Sequence, residues 1–390
     1  MSATISDTSS TVDISAGRSS GRFGSISRSF ATGSLLALGV LAAACAPLPA
    51  ASEAASIPGE AMASASPSID APATVAPTAS PTSSPEPIAW RQLDAAGPGA
   101  REDHTWTVDG GGRVAYLFGG RDGPTVFGDT WAYDLATDAW SELNPAKSPP
   151  ARFGHEAVWV ERLGLVVFAG QAGSAFFGDL WVYEPERNAW SELPATGSAP
   201  TPRYGSCAGL DPDGRLWISH GFTSDGTRFS DTRAYDFATG AWTDETPADG
   251  GRPVERCLHG CWWTDGGQLA LFAGQTTGVT ALDDRWTLAD GAWSRVEGSL
   301  PPARNLYARA RLDGATLIFG GQALDQGYLA DLWLLADDEV DARPLEVSGD
   351  GPAGRAGAEI VRDHEGGRVL LFGGRAPDGA LGDTWALSGV

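Results

Sequence analysis

Lysine is almost missing from this sequence. Lys147 is the only one in 390 residues, and every other basic side chain is an arginine. Acidic residues outnumber basic ones by 49 to 27, for a formal net charge of −22. A surface of that sign argues against nucleic acid or anionic lipid head groups as general partners. No nucleophile motif and no phosphate-cradling glycine loop appears, so enzyme signals are weak. Long apolar runs are also lacking. The run at 35–44, Leu-Leu-Ala-Leu-Gly-Val-Leu-Ala-Ala-Ala, has ten residues, about half of what a membrane-spanning helix needs.

That run suits the core of a signal peptide instead. Arg18, Arg22 and Arg28 precede it and Cys45 follows it, so residues 1–44 read as a signal peptide. Small residues directly before a cysteine resemble the bacterial lipobox, in which the cysteine becomes the lipidated first residue. Leu41 stands one place further from Cys45 than the usual leucine, and Ala42 takes the usual place. The alternative is an ordinary secretory signal cleaved near Ala44 or Ala46. Either way the mature chain is expected outside the cytoplasm, extracellular or periplasmic, touching the cell membrane only through Cys45. Residues 45–87 then read as the lipidated cysteine and a tether of Ala, Pro, Ser and Thr. Such a segment buries too little apolar surface to offset its ordering entropy.

What the chain has in abundance is repetition. The stretch Leu117 to Trp140 holds an apolar run ending in Gly119-Gly120, a polar loop, Asp129-Thr-Trp131-Ala-Tyr133 and a closing Trp140. The same order returns five times, with Asp179, Asp231, Asp284, Asp331 and Asp383 in the place of Asp129. These aspartates stand 50, 52, 53, 47 and 52 residues apart. A fixed period near fifty marks a repeat architecture. Within each unit the apolar period is two, which predicts four short strands, with Asp-Gly turns at Asp109, Asp265 and Asp313 and a Pro-Asp-Gly turn after Asp211.

The double glycine, the Asp-x-Trp-x-Tyr and the spaced tryptophan resemble the kelch motif over roughly residues 88–390. The resemblance implies an all-β, six-bladed β-propeller of four-stranded antiparallel blades. The segment Trp90-Arg-Gln-Leu93 matches the last strand of a unit, Trp140-Ser-Glu-Leu143, yet no unit precedes it, and the final unit lacks that strand. The N-terminal piece is therefore expected to close the ring as the outer strand of the sixth blade. Three departures stand out. Arg233 replaces the motif tryptophan, His220 replaces the first glycine, and the fifth closing tryptophan becomes Ala342, with Leu345 keeping the register.

One arginine recurs in every unit: Arg101, Arg152, Arg203, Arg256, Arg304 and Arg355. Three residues further on come His104, His155, Ser206, His259, Tyr307 and Ala358. In a kelch-like blade this is the entry to the innermost strand, so the arginines, His104, His155, His259 and Tyr307 form the candidate ligand site at one channel mouth. Arginine forks suit carboxylates, phosphates and sugar hydroxyls. The structural alternative is that these arginines tie connectors to backbone carbonyls or to the repeat aspartates. The opposite face, with Asp109, Asp211, Asp213, Asp265, Asp313 and Glu365 in hairpins, is expected to repel anions.

A metal is not expected, because each histidine has an arginine three residues before it, and no cofactor is indicated. The copper-radical oxidases that resemble kelch propellers use an adjacent Tyr-His pair, which this sequence lacks. The expected role is a tethered, monomeric binding module for a protein or carbohydrate ligand. The alternative is a sugar-converting enzyme similar to the sialic-acid mutarotases, with His155, His259, Arg203 and Arg304 as candidate groups. Cys257 and Cys261 read as one strand and lie too far apart to bridge, about 13 Å at the usual rise. Cys207 with either one joins neighbouring blades; three buried thiols is the alternative.

Overall fold

The computed structural model describes residues 87–248, 251–278 and 280–390. The signal run, Cys45 and nearly all of the tether lie outside the described residues. The described chain is a six-bladed β-propeller. Blade 1 is a meander of Thr105–Val108, Val114–Phe118, Thr130–Asp134 and Ala139–Leu143, all antiparallel. Blades 2 to 5 repeat that order, and blade 3 gains a short parallel addition, Thr196–Gly197, at its outer edge.

The second strand of each blade shows why the pattern is so apolar. Gly164–Phe168 is buried along its whole length. Leu165 and Val167 pack with Tyr116 and Phe118 of blade 1, whereas Val166 and Phe168 pack with Leu216 and Ile218 of blade 3. Successive side chains point to opposite faces of a strand. A sheet sandwiched between two others must therefore be apolar on both.

The closing tryptophans stitch neighbours together. Trp140 packs on Phe372 of blade 6 at 5.0 Å, Trp190 on Phe118 at 5.0 Å, Trp242 on Phe168 at 5.2 Å and Trp90 on Phe319 at 5.3 Å. In blade 5 the Ala342 substitution leaves room, and the ring of Tyr307 covers Phe272 at 5.6 Å, with its hydroxyl donating to the Phe272 carbonyl. Ala342 and Leu345 are both buried, and Trp333 pairs with Pro344 as Trp131 pairs with Glu142. The register expected for the substituted unit therefore holds.

Closure is as expected. Ala89–Leu93 pairs antiparallel with Thr384–Ser388, placing Trp90 opposite Leu387 as Tyr133 stands opposite Trp140. The turns differ in detail. Of the four turns expected from the sequence, Asp313-Gly314 alone is a two-residue turn. At Asp109 and Asp211 the loop is longer, and the carboxylate accepts backbone N–H groups from Arg113 and Val114, or from Asp213 and Arg215.

Deleting residues 88–94 removes Trp90 and uncovers a full strand edge. Burying one large aromatic is itself worth about 1.5–3 kcal/mol. Thermal denaturation should show a large loss of stability or aggregation for that variant, and almost no change when residues 46–85 are removed. An equally harmless short deletion excludes closure by this strand.

Candidate functional site

The six recurrent arginines sit at the blade entries as expected, yet they offer nothing to a ligand. Arg152, Arg203, Arg256 and Arg304 are 0% exposed and Arg101 and Arg355 are 1%. Each guanidinium makes four hydrogen bonds to its own blade and the connector before it. In blade 2 the Arg152 Nε donates to the Pro150 carbonyl at 3.1 Å, and Nη1 donates to the Ala169 carbonyl at 2.9 Å. Nη1 and Nη2 then grip the Asp179 carboxylate at 2.7 and 3.0 Å. Asp179 also accepts the Trp181 indole N–H at 2.7 Å, and the guanidinium lies 4.1 Å above the Phe177 ring. The same bidentate grip occurs between Arg101 and Asp129, Arg203 and Asp231, Arg256 and Asp284, Arg304 and Asp331, and Arg355 and Asp383. The structural alternative for these side chains is thus the arrangement present, and the ligand candidates reduce to the residues further along the innermost strands.

Arg233 is now explained. Its Nε donates to Asp231 at 3.1 Å, taking the place of the indole N–H in other blades, and it also pairs with Asp244. His220 is explained as well. The first glycine position has φ of 59–68°, which Ala169, His220 and Ala273 also adopt. The second has φ of 92–101°, where a side chain is strained, and an added Cβ at Gly120 meets the Glu102 carbonyl at 2.9 Å. Only glycine fits the second position.

Two residues past each arginine, Asp103, Gly154, Gly205, Leu258, Leu306 and Gly357 all have left-handed φ values of 51–64°. Each N–H donates to the carbonyl of its counterpart in the neighbouring blade, at 2.8–3.2 Å, and the six bonds close a circle around the channel. Nothing in the residue types signals this ring, since aspartate and leucine share it with glycine.

At the mouth above the ring, short ribbons such as Arg121–Asp122 with Thr125–Val126 and Arg375–Ala376 with Gly379–Ala380 form a crown. Between them lies a basin of about 320 Å³ that includes Glu102, Arg121, Gln322, Tyr328 and Arg375. Arg121 reaches Asp103 at 3.1 Å and Glu102 at 3.3 Å, Arg375 reaches Glu102 at 3.2 Å, and Tyr204 donates to Asp103 at 3.1 Å. Burial pushes the Glu102 and Asp103 carboxyls up, against the pull of these arginines.

Within the channel, His104, His155, His259 and Tyr307 converge on a cavity of about 70 Å³ with Glu156, Arg309 and Glu359. The expected histidines and tyrosine are therefore together, but in a narrow interior, not at an open mouth. Burial, reinforced by Arg152, brings His155 down to about 3, and burial likewise holds His104 and His259 well below the usual range. They are neutral. His155 bonds Thr105 of blade 1 at 2.9 Å, and Tyr307 accepts the Gly260 N–H, so both act as inter-blade ties. Burial raises Glu156 to about 8 and Glu359 to about 7, with Arg309 opposing. These two acids were missed in sequence, although a carboxylate inside an otherwise apolar innermost strand was the available signal.

The hairpin face is not the uniformly acidic surface expected. Arg311 pairs with Asp265 and Asp337, Arg362 with Asp313, and Arg215 with Asp211. Cys207 and Cys261 are joined, with a Cα–Cα distance of 5.6 Å, linking the innermost strands of blades 3 and 4. Cys257 is a buried free thiol and lies before the strand Gly260–Trp263, not within it.

Comparison with known proteins agrees with this geometry. Residues 85–274 match the family model described as the KLHDC2/KLHL20/DRC7 Kelch-repeats domain. The chain is 34% identical over 137 residues to tRNA wybutosine-synthesizing protein 4 of Emericella nidulans, covering 32% of this chain and 12% of that protein. It is 30% identical over 128 residues to Adagio-like protein 3 of Oryza sativa subsp. japonica, covering 31% and 20%. With Adagio-like protein 1 of the same plant it shares 27% over 335 residues, covering 78% and 51%. The chain thus spans between 12% and 51% of the length of these relatives.

Two outcomes follow. Arg152→Gln leaves the partly exposed Asp179 without its cation and the Ala169 carbonyl without its donor, and should cost about 1–3 kcal/mol in chemical denaturation. Arg203→Gln should cost visibly less, because Arg233 remains beside Asp231. Equal losses remove the assigned role of Arg233. The second concerns pH. The Glu156 carboxyl is raised from an ordinary 4.5 to about 8, so the folded state holds a proton that the unfolded chain has lost, and stability falls as pH rises across that window. Glu156→Gln should therefore raise the melting temperature at pH 8 and leave it nearly unchanged at pH 4.

Proposed function

We propose that this kelch-repeat β-propeller is a protein-binding module, exported and held at the outer side of a membrane through Cys45, that docks its partner on the ribbon-crowned face. The observation that carries the docking face is the division of labour among its side chains. The wall arginines are consumed by the blades, whereas Arg121, Gln322, Tyr328 and Arg375 rim an open basin on the crown. On the same face Phe176 and Phe222 of blades 2 and 3 meet edge to face at 5.7 Å, only half-buried, with Arg228 over Phe222 at 5.9 Å. Aromatic rings and arginines are the residue types enriched where proteins meet. Kelch propellers generally serve as protein-interaction modules, and residues 85–274 match such a domain.

Export is supported by the run at 35–44 before Cys45 and by the Cys207–Cys261 bond, since such bonds persist outside the reducing cytoplasm. The sugar-converting alternative draws on Glu156 and Glu359, whose carboxyls are held near neutral pH as a general acid or base requires. The cavity that the two share, about 70 Å³, holds a few waters, far below the several hundred Å³ of ordinary ligand sites, and only Glu359 also borders the wider one of about 360 Å³. Binding is therefore the reading put forward.

A photo-cross-linking amino acid at Tyr328, in intact producing cells, should give a discrete protease-sensitive adduct, and the same group at Asp313 should give none. Adducts from Asp313 alone place the partner on the hairpin face. In the same cells Cys45→Ser should move the protein from the membrane fraction to the soluble fraction. A variant still wholly in the membrane pellet excludes attachment through that thiol.

A further inference from the structure

At the hairpin end the channel widens into a second cavity of about 360 Å³, walled by Trp106, Trp262, Trp263, Arg309, Arg311 and Glu359. Trp106 and Trp262 are each only 4% exposed, and their indole N–H groups, like that of Trp263, are buried within the walls and do not open onto the cavity. Arg309 supplies the free donors. Its Nε is fixed on the Cys261 carbonyl at 3.2 Å, and among the described residues nothing hydrogen-bonds its two Nη groups.

Arg311, by contrast, is spent on Asp265, Asp337 and Thr316. Arg309 is therefore the one cation of this cavity whose charge no neighbouring ion pair neutralises. Glu359 does not form an ion pair with it among the described residues, and burial favours the protonated form of that carboxyl. The guanidinium is also held rigidly. Gly260 leaves room for it, since a Cβ there meets Arg309 Cδ at 3.0 Å, and the adjacent Cys261 is clamped to Cys207.

A guanidinium fork with two free Nη groups, set among flat apolar walls, calls for a ligand that is negatively charged and partly apolar. We propose that the hairpin end of the channel binds a small organic carboxylate, with its carboxylate on Arg309 and its flat apolar body against the tryptophans. The site is separate from the ribbon-crowned docking face and stands or falls independently of it.

The probe is benzoate, titrated into the purified full chain while tryptophan fluorescence is followed, with benzamide as the neutral counterpart and sulfate as the inorganic one. Expected is a saturable change with benzoate, at least about tenfold weaker for benzamide and for Arg309→Gln, matching the loss of one charge-assisted pair. Arg309→Lys should lose most of the affinity too, because it keeps the charge and not the fork. At pH 8, above the value of about 7 to which Glu359 is raised, Glu359→Gln removes a competing carboxylate and should tighten benzoate binding, which decides the matter if the Arg309 variants do not fold. Equal binding of benzamide, no saturable response to benzoate, or unchanged affinity in folded Arg309→Gln overturns the proposal. Sulfate binding as tightly as benzoate overturns the organic part of it.

Discussion

A bidentate arginine–aspartate pair at the entry of each blade, its arginine buried and its aspartate partly exposed, is the interaction on which the rest of this propeller depends. The arginine is bonded four ways, to the connector before it, to the carbonyl at the first glycine position, and twice to the aspartate that opens the third strand. One side chain thus holds three separate segments of a blade in register. A buried ion pair is a weak source of net stability because desolvation opposes its attraction. It is a strong source of specificity, since any other arrangement leaves a charge buried alone. Burial opposes ionisation of each aspartate, and the paired guanidinium outweighs it, so these carboxyls are held below their usual range.

The pair also fixes how blades meet. The backbone carbonyl of each arginine accepts the N–H of the second glycine in the preceding blade, at 2.8–2.9 Å, in all six positions. Two residues later the chain turns into the left-handed region and joins the hydrogen-bonded circle around the channel. These two circles and the tryptophan–phenylalanine contacts are three independent ties between blades, one at the mouth, one at the entry and one in the core. A blade that loses one tie keeps the others, which suits a chain whose motif is degraded at Arg233, His220 and Ala342.

Much of this was legible in the sequence because the repeat imposes the same physical problem six times. Asp129 and its counterparts, the double glycine and Trp90 each have a recurring role, so spacing alone located the blades and the closing strand. The arginines were legible as a set, and their alternative roles as struts or ligands could not be separated, since both need the same side chain at the same place. Burial decides between them, and burial is a property of the assembled ring. The hydrogen-bonded circle was invisible for another reason: backbone atoms carry it, and Asp103, Leu258 and Leu306 reach the same φ as the glycines. Glutamate takes the position four residues past the arginine only in blades 2 and 6, as Glu156 and Glu359, and Arg309 belongs to blade 5 alone. Only closure of the ring brings blades 2, 5 and 6 to face one another.

That contrast points to where function resides in a propeller. Side chains that repeat six times answer demands that every blade shares, and those demands are structural. Side chains present in only one or two blades have no such duty, yet here some are expensive to keep. Glu156 and Glu359 are pushed up to about 8 and about 7 by burial, and the two Nη groups of Arg309 have no hydrogen-bond partner among the described residues. A ring built only for stability has no need of either, because valine or leucine in the same places removes the desolvation cost. The non-repeating polar residues of the channel, not the repeating arginines of its wall, are thus the part of this molecule that folding alone leaves unexplained.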